Sequence, residues 1–187
     1  MTVPALRAVG FCAHYCEQGD WAFSYALRLA QTRRLRLNVF HFLSDPYSPA
    51  SEPTASLSEA QRLQLAIEKE RELRMYYDDL AGDYLEVGFR LCDNSEWTEL
   101  HRCLVKREFQ VLVLGFTSED AVFGGRPILE FADAFVSPVV LVGPHRPNEF
   151  HLNASAVLMV DRLGVGDSFR DIHRRQPGAE LHSTVQV

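Results

Sequence analysis

The sequence predicts an α/β protein: one parallel sheet with helices packed on both faces. Three observations carry this expectation. Short apolar runs alternate with segments of helical period in the order β-α-β-α-β-α-β-α-β over residues 5 to 143. Two of the runs, "FQVLVLGF" and "VVLVG", are apolar without interruption, as in strands covered on both sides. Stretches of helix length separate the runs, which suits parallel neighbours because a tight hairpin cannot join them.

Each element has its own warrant. "LRAVGFCA" reads as the first buried strand, and Asp20 as the cap of a helix reaching about Thr32, with Trp21, Ala22, Tyr25, Ala26 and Leu29 on its apolar side. "RLNVFHFL" is the second strand. "SDPYSPASEPT" must be a loop, because its prolines remove donors and forbid helix. From Ser56 to about Ala81 runs the longest helix, with Leu63, Ile67, Leu73, Tyr77 and Leu80 as its apolar stripe and Gly82 as its stop. "YLEVGFRL" alternates strictly, which predicts a third strand exposed on one side, at a sheet edge. Asn94 or Ser95 caps a third helix carrying Trp97, Leu100 and Leu104; "FQVLVLGF" is the central fourth strand. Pro127 opens a fourth helix with Ile128, Leu129, Ala132 and Phe135, and "VVLVG" follows as the fifth strand.

Residues 144 to 187 break the rhythm and read as an extension of the 1–143 domain: a proline-marked linker, "GPHRPNEFHLN", one strand candidate, "ASAVLMVD", and an irregular tail.

At 187 residues the chain is long enough to bury a sizeable core as one domain. A formal charge of -6 argues against a nucleic-acid binder, since such domains present net basic faces to phosphate. The densest basic cluster, "RRLRLN" at 33 to 38, falls between a helix and a strand, where cations favour the negative helix end. No run approaches the ~18 apolar residues of a membrane span, so a cytoplasmic location is expected by default. Cys12, Cys16, Cys92 and Cys103 lack paired metal-type spacing and read as buried thiols.

The segment "VLVLGFTSEDAVFGGRP" poses the functional question. A strand ending at Gly115, a loop with Gly124 and Gly125, a helix, and then "SPVVLVG" from Ser137 together resemble the universal stress protein family, with fainter similarity over residues 5 to 143. The resemblance implies a single doubly wound, five-stranded parallel sheet of order 3-2-1-4-5. It also implies a phosphate loop of glycines ahead of a helix N-terminus, whose N–H groups point at the anion. The chain departs from that pattern where ATP would be held. Ser118 stands in place of the second glycine, the stretch from Gly115 to Gly125 is three residues short, and Arg126 replaces a hydroxyl residue. Cys12 stands where the family places Asp beside adenosine, and Phe42 where Val lies against adenine.

The expectation is therefore a non-enzymatic, dimeric binding module of regulatory or stress-response type, without classical ATP binding and without an obligatory cofactor. It would pair through the edge of the last strand, Val139–Val142, and the tail. Its candidate crevice comprises Cys12, His14, His41, Phe42, Gly115, Gly124, Gly125 and Arg126, which gather beyond the carboxyl ends of the strands. Two alternatives stay open. One is an ATP- or AMP-binding member with a remodelled loop and weak ATPase activity, in which Gly124, Gly125 and Arg126 still hold a small anion. The other is a thiol or metal sensor using Cys12, His14, Cys16 and His41.

Overall fold

The computed structural model describes residues 5–49, 56–93, 95–166 and 169–171. Its elements in chain order are β1 (Ala8–Cys12), α1 (Glu17–Arg33), β2 (Arg36–Phe42), α2 (Glu59–Ala81), β3 (Val87–Cys92), α3 (Glu96–Val105) and β4 (Val111–Gly115). A two-strand hairpin follows, β5 (Val122–Phe123) and β6 (Arg126–Pro127), then α4 (Ile128–Ala134), β7 (Val139–Val142) and β8 (Phe150–Leu152). Two short helices, α5 (Ala154–Val157) and α6 (Val160–Leu163), and β9 (Phe169–Asp171) complete the described chain.

The main sheet has the order β3-β2-β1-β4-β7-β8-β9. Its first five strands are parallel and reproduce the expected 3-2-1-4-5 order, with β7 as the fifth. Side chains alternate across the sheet, so Val9, Phe11, Leu37 and Val39 meet α1 and the C-terminal half of α2 in one core. Cys12, Phe40, Phe42, Leu112 and Leu114 meet α3 and α4 in the other. β3 lies at the edge, as its alternation predicts.

Several expectations are corrected. Helix α1 begins at Glu17, and its cap is Cys16, whose Sγ accepts from the Gly19 N–H; Asp20 lies inside the helix and accepts from the Tyr76 hydroxyl at 2.6 Å. α2 starts at Glu59 behind a Ser58–Gln61 capping box, three residues later than expected. Of its stripe only Leu73 and Tyr77 are buried, while Leu63, Ile67 and Leu80 are exposed. Only the C-terminal half of α2 lies over the sheet. Ser95 caps α3, and Asn94, the other candidate, falls outside the described residues.

The extension differs most. "AVLMVD" forms helical turns, because Ala156, Met159 and Leu163 repeat at helical spacing and pack on the α1 face, and because the Asn153 side chain caps α5. The added strand is Phe150–Leu152, from the supposed linker, and it runs antiparallel to β7. The edge of Val139–Val142 is thereby filled by the chain's own β8, and β9 pairs beyond it. Residues 172–187 of the tail lie outside the described residues.

Among the described residues no helix is long and apolar enough to cross a membrane.

Candidate functional site

In a sheet of this order, strands reverse direction of travel about β1 and β4, and the space beyond their carboxyl ends is where a ligand would sit. Here several side chains and backbone groups of the chain itself meet in that space.

The loop after β1 carries His14, and the loop after β2 carries Tyr47. Their rings stack at 3.6 Å between centroids and 5° between planes. The Tyr47 hydroxyl donates to the Cys12 carbonyl at 3.3 Å, capping the end of β1. Behind Tyr47, at 5.0 Å and edge-on, lies the buried ring of Phe123. Below His14 the Tyr77 hydroxyl accepts from the His14 N–H at 3.2 Å, tying α2 to the same loop. Burial holds the Tyr47 phenol well above its ordinary range and lowers the His14 imidazole, so both rings are neutral at pH 7.

The glycine-bearing segment is a hairpin, not a phosphate cradle. Gly124 and Gly125 form its two-residue tip with φ of 60° and 76°, the backbone that a tight hairpin turn demands at both positions. The tip is hooked down: Gly124 N–H donates to the Pro46 carbonyl at 2.8 Å, in the loop that carries Tyr47. Arg126 lies over the Trp97 ring at 4.7 Å, so its guanidinium faces an aromatic surface on α3. The α4 helix that follows has seven residues, and its N-cap, Pro127, makes no side-chain cap bond. The small-anion expectation for Gly124, Gly125 and Arg126 thus finds a turn, a hydrogen-bonded tip and a stacked cation.

At Gly115 the first turn of α1 rests directly on the strand. A Cβ on Gly115 would lie 2.9 Å from Gly19 N and 3.0 Å from Gln18 C. That contact occupies the gap between the end of β4 and the α1 N-terminus. Phe116, next in the chain, is fully buried and meets the His151 ring edge-on.

The remaining candidates separate. Cys12 is buried in the core on the α3 side with Phe42, Cys92 and Cys103, and burial pushes its thiol well above the usual range. Cys16 is spent on capping α1, and its thiol is likewise raised by burial. His41 lies on the opposite face from Cys12, edge-on to Tyr15 at 5.6 Å; its Nε2 has no hydrogen-bond partner, and burial lowers it to about 4. Neutral thiols are poor nucleophiles and poor metal ligands. Among the described residues no group of three or more His, Cys, Asp or Glu side chains is placed to hold a metal ion. The structure brings together His14 and the Gly124 loop, through Tyr47 and Phe123, and leaves Cys12 and His41 on different faces.

Sequence reasoning missed Tyr47 altogether. Its signal was present, since it is the one aromatic residue in a Ser- and Pro-rich loop that has no need of one.

No protein-family model and no curated protein matches the chain. Solved structures do align with it. The universal stress protein UspA from Lactobacillus plantarum aligns at a TM-score of 0.45 and 15% identity over 73% of this chain and 97% of that one. A universal stress protein from Archaeoglobus fulgidus aligns at 0.48 and 12% over 74% and 98%. One in complex with cAMP aligns at 0.47 and 14% over 75% and 99%. Alignments at these identities and TM-scores assign neither family nor role, and the sheet itself shows an α/β fold with the first five strands in the order 3-2-1-4-5.

Proposed function

We propose that the protein is a non-catalytic, universal-stress-protein-like regulatory module whose nucleotide crevice is closed by its own Tyr47, so that it acts through its surface and not through bound ATP. The stacked Tyr47–His14 pair carries this reading. It is supported by the Gly124 N–H, spent on the Pro46 carbonyl, and by the close contact of α1 with Gly115. The raised thiols of Cys12 and Cys16 argue against a redox or metal role at the same place.

An amide NMR titration with MgATP tests this. The reading expects no saturable shift at Gly19, Gly115 or Phe116 up to millimolar nucleotide, in the parent protein. Saturable shifts at those three amides would establish the adenine-nucleotide alternative instead.

A further inference from the structure

At the opposite end of the sheet from the Tyr47 crevice lies an open cleft of about 500 Å³. Arg36 and Asn38 of β2, Gly88 and Arg90 of β3, and the turn Lys106–Glu108 after α3 line it. We infer that this cleft is a binding site for a small soluble molecule carrying two or more clustered phosphates.

Charge is the first argument. Four cations and one carboxylate share the cleft in a chain whose formal charge is -6. Glu108 is committed to Arg90, on which it forms an ion pair at the cleft floor. Arg36, Lys106 and Arg107 are exposed, and none of the three has a side-chain hydrogen bond or ion pair among the described residues. Gathering unpaired like charges raises the energy of the empty protein, and a multivalent anion reverses that cost. Guanidinium forks match phosphate oxygens in pairs.

Shape is the second. Gly88 lets two lining groups rest on the strand: a Cβ there would lie 2.9 Å from Asn38 Oδ1 and 3.1 Å from an Arg36 guanidinium nitrogen. Asn38 is locked in turn, its Nδ2 donating to the Glu108 carbonyl at 2.5 Å. The volume falls within the range of small-molecule sites, and the cations gather in one cleft and not along a stripe as in a nucleic-acid binder.

Arg107 is the third. It stands just past the α3 end at φ 60°, a left-handed position that glycine fills with less strain. The negative end of α3 favours a cation at Lys106 or Arg107, but it explains neither Arg36, which comes from β2, nor the glycine that lets Arg36 rest on β3.

Calorimetric titration of the full chain with inorganic tripolyphosphate tests the inference, at low salt and at about 0.15 M. The expected result is saturable binding that weakens as salt rises. Arg36→Ala and Arg107→Gly should each bind about tenfold more weakly, with Arg107→Gly melting no lower than the parent. Arg146→Ala, which removes the same charge far from the cleft, should bind as the parent does. Absence of saturable binding, or an equal loss in Arg146→Ala, would overturn the site. Tighter binding of an RNA oligonucleotide than of tripolyphosphate would overturn its assignment to a small ligand. Because the readout lies outside the Tyr47 crevice, its failure leaves the reading of Tyr47 untouched, and the reverse.

Discussion

His41, one residue before the end of β2, lies edge-on to Tyr15 and is 8% exposed, with its Nε2 unpartnered and with Lys69, Glu72 and Asp45 as its charged neighbours. Its pKa is about 4 in the folded chain against 6.5 for a free imidazole. Between those values the unfolded state binds more protons, so stability rises with pH across that window and falls as pH drops through it. The full difference is worth about 3 kcal/mol, and His14 acts in the same direction. Urea unfolding at pH 4.5 and pH 7 should therefore show a gap that narrows in His41→Leu; an unchanged gap would place the acid sensitivity elsewhere. Asn153 makes a second residue-scale case. Fully buried, it donates to the carbonyls of Ala132, Phe135 and Ser137 and accepts from the N–H groups of Val139 and Ala156. Asn153→Ala leaves those backbone groups without partners and should cost about 3 kcal/mol, measured by the same unfolding. Neither role was legible beforehand. Asn153 sits among prolines and polar residues that read as linker, and its five partners come from elements brought together only by the fold.

At the scale of elements, the β5–β6 hairpin ties the glycine-bearing segment to the loop that carries Tyr47. Each glycine at its tip has positive φ, so Gly125→Ala should cost about 1 kcal/mol even though nothing lies within 4 Å of its Cβ position. Arg126→Ala should cost about 0.5 kcal/mol through the lost stack on Trp97, and thermal unfolding of the two variants checks both figures. Parity between Gly125→Ala and the parent would mean that the turn relaxes into another type. The element order was legible because period and length agree for β1, β2, β3, β4 and β7, whereas the two-residue strands β5 and β6 are too short to show a period and read as loop. Boundaries slipped where a side chain had a competing partner: Asp20 resembles a cap by residue type, yet Tyr76 takes its carboxylate and Cys16 caps in its stead. "AVLMVD" misled because its apolar run is short, and in short runs strand and helix periods look alike.

Across the whole molecule, β8 decides how the sheet ends. With β7 paired on both sides, the edge expected to join two copies is internal to one chain. The N–H groups of Val139 and Gly143 are held by Asn153 and Glu149 of the same chain. Hydrogen exchange at those two amides should be equally slow at high and low protein concentration; faster exchange on dilution would return β7 to a subunit interface. The two ends of the sheet differ: aromatic rings of Tyr47, His14 and Phe123 meet at the carboxyl end, and the amino end holds the open basic cleft. The glycine pattern of the sequence pointed to a cut-down cradle near Gly115 and Gly125. It gave no view of where Tyr47 goes: a lone aromatic in a proline-rich loop marks a residue to place, but its stacking partner is 33 residues away and is set by tertiary packing.

The ring contact itself is the most direct measurement. NOEs between the Tyr47 and His14 side chains should be present in the free protein and should persist undiminished at millimolar MgATP. Their disappearance as nucleotide is added would show that the ring yields its place to a ligand, and would contradict the closed crevice.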